Sequence, residues 1–391
     1  MQPRTICKGV SLVGAVDWDR RLFDALIPLP DGTSYNSYLV EGSEATALLD
    51  TVDPSMTAVL LAQLERTPKV DYVIAHHAEQ DHSGSLPTIL ARYPAARVLC
   101  SDKAKGMLMD LLKVPENRFQ VVKDGEVLSL GDKTLQFIYT PWVHWPETMS
   151  TFLKEDGILF SCDFFGSHLA TSEVFADERR VYEPAKRYYA EIMMPFRNVI
   201  QRNLEKIKGY GIKLIAPSHG PVYREPQFIL DAYRDWVVGE PKNVAVVAYV
   251  SMHDSTRLMV ERLVGALVAR GVVVEQHNLV GVDLGKLAVS LVDAATIVVG
   301  SPTVLAGLHP LAANAAFLAN ALRPKAKYAA LIGSYGWGGK MAEQLASLLP
   351  LLKLEVLPPV LTRGLPREAD YAALDSLADA IASRHRDLSN V

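Results

Sequence analysis

The run His-His-Ala-Glu-Gln-Asp-His-Ser-Gly at 76–84 packs His77, Glu79, Asp81 and His82 into six positions, directly after the apolar residues of 72–75. Imidazoles and carboxylates at that density are metal ligands by type, offering borderline nitrogen and hard oxygen donors. A chain leaving a strand sends alternate residues to one side, so His77, Glu79 and Asp81 are expected to converge. His76 is then expected to face away and serve as support or packing. Three further candidates stand in the same setting: His144 after TLQFIYTPWV, Asp163 after GILFSC, and His219 after KLIAPS. Four β-like runs that each end in a ligand-type residue describe a site at a sheet edge. There the loops carry the chemistry and the sheet fixes their positions. One His or Asp at a strand end is usually structural; seven in this pattern form a metal site.

A second constellation lies downstream. Ser-Met-His-Asp-Ser-Thr at 251–256 opens a strand-to-helix junction. Backbone N–H groups at a helix start, with the hydroxyls of Ser251, Ser255 and Thr256, suit a terminal phosphate such as that of FMN. Ser and Thr are also ordinary helix caps, so this loop alone leaves both readings open. SPTVLAG (301–307) and GSYGWGG (333–339) shift the balance toward FMN, since each follows a buried apolar run on the side where open α/β sheets bind ligands. Tyr335 and Trp337 offer flat faces to a ring, and the glycines permit close backbone approach. Met252, Pro302, Thr303, Leu305, Ser334, Gly336 and Gly338 complete the expected flavin contacts.

The elements that must position these residues fall into two rhythms. Up to about residue 240 the chain shows short β-rich runs: 45–49, 70–75, 97–100, 134–139, 157–161 and 213–216. Helical patterns intervene at 56–66 and 201–210. From Asn243 long apolar runs alternate with helix-like stretches: NVAVVAYVS, a helix over 256–270, VVVEQHNLV, ATIVVGSP, a helix from about Ala312, KYAALIGSYG, and a last helix after the glycine pair at 338–339. Such alternation predicts a doubly wound parallel sheet. The expected domains are therefore 1–240 and 243–391, joined at VVGEPKN. At 391 residues, 49% hydrophobic and 21% charged, the chain is long enough for two cores and well away from disorder.

A net charge of −4 provides no footprint for nucleic acid or anionic lipid. No apolar stretch is long enough to span a membrane, and the opening residues lack a signal-peptide core, so the expected location is cytoplasmic. Three cysteines without a C-x-x-C exclude a disulfide framework and a fused iron–sulfur module.

The ligand pattern resembles the metallo-β-lactamase superfamily signature H-x-H-x-D-H, with Glu79 in place of the second His. Its H-x-E-x-D-H form is similar to that of the flavodiiron proteins, or A-type flavoproteins, in their minimal two-domain form. VHWPETM (143–149) resembles their H-W-P-(D/E)-(S/T)-M, and YYAEIMMPF (188–196) their Y-Y-A-N-I segment. The flavin loops resemble their S-P-T and G-S-(Y/F)-G-W-(G/S)-G segments. The resemblance implies an N-terminal αββα sandwich and a C-terminal flavodoxin-like sheet. It implies two non-haem irons, with His77, Glu79 and His144 on one, Asp81, His82 and His219 on the other, and Asp163 between them. Four imidazoles and three carboxylates suit iron cycling between ferrous and ferric states.

The implied reaction is reduction of dioxygen to water, of nitric oxide to nitrous oxide, or both. Electrons would come through FMN from rubredoxin, a reduced deazaflavin or another flavoprotein. The implied assembly is a head-to-tail homodimer or a dimer of dimers. Tyr188 is expected near the irons, either donating a hydrogen bond to a bound oxygen species or packing in the core. His168 is expected to line the substrate pocket rather than ligate. Two departures stand out. Asp24 in RLFDAL occupies the His of R-x-F-H-G, and Leu305-Ala306 replaces the Asn pair of S-P-T-x-N-N-G. The rival readings are a zinc hydrolase carrying an FMN domain and a flavodoxin-like carrier with a docking scaffold. Glu79 argues against the first and the complete ligand set against the second.

Overall fold

A computed structural model describes residues 2–388. The chain divides at Val237 and Val238 into two compact units.

The first unit holds two sheets. The larger runs Arg4–Cys7, Val10–Asp17, Thr33–Glu41, Thr46–Leu49, Tyr72–Ile74, Arg97–Cys100, Phe119–Val121 in spatial order. The smaller runs Val127–Ser129, Thr134–Tyr139, Met149–Leu153, Ile158–Cys162, Leu214–Pro217. Adjacent residues on the central strands feed different cores. Leu48, Val73 and Val98 pack with Leu60, Leu86, Ile89 and Leu108 of the covering helices. Their neighbours Leu49, Ile74 and Leu99 pack with Phe137, Met149 and Phe160 of the second sheet. Both faces being covered, these strands read as unbroken apolar runs rather than alternating ones. Helices Glu178–Tyr188, Arg197–Ile207 and Pro226–Val237, burying Val181, Ile200, Ile229 and Trp236, complete a helix–sheet–sheet–helix sandwich. At one edge the two sheets are tied: Asn36 Nδ2 and the Tyr38 hydroxyl both donate to the Pro217 carbonyl, at 2.8 and 2.6 Å. The ligand-bearing loops leave from that edge.

The second unit is a parallel sheet in the order Val273–Asn278, Lys242–Tyr249, Ala294–Val304, Tyr328–Tyr335. Glu355–Val356 and Val360–Arg363 both pair with the last of these. The chain moves to one side of its first strand and then to the other. This is the flavodoxin-like switch that opens a crevice at the strands' C-terminal ends.

One expectation is corrected here. The helix after the glycine pair, Met341–Leu348, is not the last; strand Val360–Arg363 and the 21-residue helix Glu368–Leu388 follow. The strand is only four residues long and follows Pro358-Pro359. The helix buries one stripe (Leu374, Leu377, Ala378, Ile381, Ala382) among many charges, which mutes its pattern in sequence. That stripe covers Ala245, Val247, Val298 and Ile332 together with Met259 and Leu263.

Candidate functional site

Four imidazoles present Nε2 toward the same pair of Asp163 oxygens. His77 and His144 lie 3.0 and 3.1 Å from Glu79 Oε2, and each 3.5 Å from Asp163 Oδ2. His82 and His219 lie 3.3 and 3.1 Å from Asp81 Oδ2, and 3.0 and 3.4 Å from Asp163 Oδ1. Two ligand groups result, His77/Glu79/His144/Asp163 and Asp81/His82/His219, with ligand atoms in each within 4.8 Å of one another.

All seven expected residues come together, but not by simple alternation. Gln80–Ser83 turns helically. His77 and Glu79 therefore serve one group, and Asp81 and His82 the other.

The donor set fits metal ions. Both carboxylate oxygens of Asp81, both of Asp163 and both nitrogens of His82 are buried without a hydrogen-bond partner among the described residues. Each such atom costs about 1–3 kcal/mol unless something satisfies it. His82 Nδ1 lies on the far side of its ring, and the remaining atoms, the Asp81 and Asp163 oxygens with His82 Nε2, make a cradle for cations. Burial opposes charge on Asp163, yet the nearby imidazoles, His82 foremost, hold its carboxyl well below the usual range. Burial likewise opposes the charged form of His144, but the carboxylates of Asp163 and Glu79 beside it outweigh that and push the imidazole up to about 10.

Behind the ligands stands a layer of support, most of which the sequence did not reveal. Glu147 Oε1 accepts from His77 Nδ1 at 2.7 Å and from the Ala78 amide at 3.0 Å, and the Ser34 carbonyl accepts from His219 Nδ1 at 2.7 Å. Such partners fix which ring nitrogen faces a metal. Glu147 was visible in HWPET, three residues after His144, but spacing alone gave it no role. His76 turns away as expected: Nδ1 meets Asp50 Oδ2 and Nε2 meets the Thr151 hydroxyl, each at 2.7 Å. Asp50, Trp142 and Cys162 all have positive φ. Left-handed non-glycine residues cost of order 1–3 kcal/mol and persist where packing over-determines them.

In front of the ligands lies a cavity of about 280 Å³, walled by Phe23, Ile27, Trp145 and Ile192 and reached by Asp24, Glu191, His168 and Tyr188. His168 Nδ1 is 2.9 Å from the Thr33 hydroxyl, while its Nε2 is buried without a hydrogen-bond partner. Burial and the adjacent His219 push its pKa well down, so the ring is neutral. Burial pushes the Tyr188 phenol well up, and the charge of Asp163 adds to it. Tyr188 therefore keeps its proton. Asp24 sits on a left-handed turn, and partial burial with Glu79 and Asp81 nearby raises it to about 6.

In the second unit a pocket of about 310 Å³ gathers Ser251, Met252, Ser255, Thr256, Pro302, Thr303, Ser334, Tyr335, Gly336 and Trp337, with His253 and Gly364 added. Gly364 follows the strand absent from the sequence reading. The N-terminus of helix Ser255–Ala269 faces this loop region, and Thr303 Oγ1 is buried without a partner. An added Cβ at Gly336 or Gly364 would meet nothing within 4 Å, so the backbone there is open to a ring. These features fit a flavin phosphate and ring. Asp254 points to solvent, 2.8 Å from Arg257.

Leu305 and Gly338 do not line the pocket. Leu305 is 98% exposed at the tip of a hairpin joining Val304 and Gly307. Leu305 and Ala306 have φ of 49° and 65°. Positive φ at both central residues marks a type I′ turn, which favours Asn and Gly. Leu and Ala in place of an Asn pair therefore put two side chains in the left-handed region that Asn tolerates better.

A layered αββα unit with this ligand set, followed in sequence by a flavodoxin-like unit, defines a metallo-β-lactamase-like flavoenzyme. Residues 33–220 match the family model described as "ODP family beta lactamase". The chain is 37% identical to a nitric oxide reductase of Moorella thermoacetica, over 99% of this chain and 100% of that one. Its structure is similar to that of rubredoxin oxygen:oxidoreductase from Desulfovibrio gigas, with TM-score 0.96, 30% identity and full coverage of both chains. The flavodiiron protein of Giardia intestinalis superposes with TM-score 0.92 at 26% identity, over 99% of this chain and 98% of that one. The chain belongs to the flavodiiron protein family, and it is an oxidoreductase. Among the described residues no helix is long and apolar enough to cross a membrane.

Proposed function

We propose that this protein reduces dioxygen to water, nitric oxide to nitrous oxide, or both, at two non-haem irons supplied with electrons through FMN. Asp163 carries the reading. Its two oxygens face two different ligand groups, as a carboxylate shared between cations must. Sharing it lessens the repulsion between those cations. In this reading His77, Glu79 and His144 hold one iron and Asp81, His82 and His219 the other. Iron held there would supply electrons to a diatomic gas, and FMN in the second unit would supply single-electron transfer from a donor.

The remaining work falls to the chain's own residues. Glu147 and Ser34 aim His77 and His219 inward. Tyr188, kept protonated, offers its hydroxyl hydrogen to an oxygen atom in the cavity. His168, neutral, turns its free Nε2 to the same space. Phe23, Ile27 and Ile192 give a neutral gas an apolar wall. For the flavin, Ser251, Ser255 and Thr256 with the helix N-terminus take the phosphate. The 302–303 and 334–337 loops take the ring.

The donor proposed is rubredoxin or a reduced flavin or deazaflavin. The working assembly proposed is a head-to-tail homodimer, or a pair of them, in the cytoplasm. Dilution to monomer with full turnover retained would overturn the assembly. The reaction is tested by elemental analysis and released-flavin absorbance, followed by anaerobic assays of dioxygen uptake and nitrous oxide release. About two irons and one FMN per chain, with turnover, are expected; zinc in place of iron, or no flavin, would sink the reading.

A further inference from the structure

We propose that Asp24 and Glu191 make the cavity selective by charge, admitting neutral diatomic gases while disfavouring anionic ligands. The inference rests on the diiron reading of the same cavity. Glu79, Asp81 and Asp163 bring three carboxylates to the metal groups, and Asp24 and Glu191 reach the same cavity without belonging to either group. They arrive from separate elements. Asp24 rides the left-handed turn between Leu22–Phe23 and Ile27–Pro28. Glu191 lies on the π-helical turn Tyr189–Met193, which continues helix Glu178–Tyr188. π-Turns of this kind recur at functional sites, where they re-aim a side chain. Glu191 is 3.2 Å from Arg187, and its side chain is 7% exposed.

The charge count gives these two residues their effect. In either oxidation state two irons carry more charge than three ligand carboxylates cancel, with the four imidazoles neutral once they ligate. The residual positive charge draws anions into the cavity. Asp24 opposes it directly, and Glu191 opposes the combined pull of the metals and Arg187. A neutral gas feels neither effect, whereas an anion entering the cavity feels both.

The test is azide titration of the oxidised, iron-loaded protein, followed by its charge-transfer absorbance, in wild type, Asp24→Asn and Glu191→Gln. Nitric oxide binding to the reduced protein serves as the neutral control. Each variant is expected to bind azide about tenfold more tightly. Nitric oxide affinity is expected to move less than about twofold, a neutral ligand having no charge to lose. Unchanged azide affinity in one variant removes that residue from the proposal, and in both overturns it. Azide and nitric oxide affinities moving together would also overturn it, as a change of shape rather than of charge. Iron measured on the same wild-type sample separates the two readings: iron present with azide unmoved sinks only this inference, and iron absent sinks both.

Discussion

In the first unit the two ligand groups are built from side-chain atoms, and several side chains in and around them are held in place by a second side chain or carbonyl. Glu147 stands behind His77, Ser34 behind His219, and Thr33 behind His168. The pocket of the second unit is different in kind. It is lined by loop glycines and short hydroxyls, and its large apolar residues stand in the open, with Trp337 83% and Met252 53% exposed. Holding a cation requires several side-chain donors converging on one point, which only buried, cross-braced side chains supply. Holding a flat ring and a phosphate requires backbone N–H groups and a surface, which loops at a sheet edge supply without bracing. The metal site is thus expected to be brittle and the flavin site tolerant.

The sharpest test of that contrast is Asp163→Ala. Turnover should fall by roughly three orders of magnitude or more, on the scale of losing an essential catalytic group. Iron content should fall with it while bound flavin stays at the wild-type level; flavin lost in parallel would break the contrast. Next comes Glu147→Ala, which leaves the ligands untouched but frees the His77 ring. Iron affinity should drop about 10- to 100-fold in a chelator competition, again with flavin retained. On the tolerant side, Trp337→Ala should weaken flavin binding by only about fivefold to tenfold, from loss of one stacking face. Fluorescence titration measures it, and a hundredfold loss would show the flavin site to be as brittle as the metal site.

Two smaller effects belong to the second unit alone. Replacing Leu305-Ala306 by Asn-Gly should raise stability by about 1–2 kcal/mol in urea, because it relieves two left-handed non-glycine residues. No gain would mean that the turn is not strained. His385 is buried, with Nε2 2.7 Å from the Thr296 hydroxyl and Nδ1 2.8 Å from Asn243 Oδ1. Burial lowers its pKa to about 4. The unfolded chain therefore takes up a proton near pH 6.5 that the fold refuses. The stability contribution is fully present above that pH and is lost as pH falls toward 4. Thermal melts across that range should show the decline, and His385→Gln should flatten part of it.

The same contrast governs what was legible in the sequence. The seven ligands were readable because metal chemistry admits few residue types and because strand ends placed them in register. Their partition between two groups came only through the family resemblance and not from alternation, since it depends on the helical turn at Gln80–Ser83. The supporting roles of Glu147, Ser34 and Thr33 were not readable because supporting a ligand requires only an acceptor or a hydroxyl, and a carbonyl has no sequence signature. In the second unit Ser251, Thr256 and Trp337 were readable from their loops. Gly364 was not, because it follows a four-residue strand. Leu305, assigned to the flavin, lies on a turn outside the pocket lining, a placement that the S-P-T segment gave no sign of. The departure at Asp24 was readable as a substitution, and only its place in the cavity gives it a role.

The helix Glu368–Leu388 has a consequence for how the protein is made. Arg262 and Asp375, bound to each other, are 113 residues apart, and Met259 and Leu263 share a core with Leu374 and Ile381. As the chain leaves the ribosome, one face of the second sheet stays uncovered until Glu368–Leu388 emerges, although the first unit was fully synthesised at Val237. A nascent chain stalled between those points would carry a finished metal unit and an open apolar sheet, the kind of surface that recruits chaperones or aggregates. Loss of helix Glu368–Leu388 should therefore show up first as poor recovery of soluble protein rather than as altered catalysis.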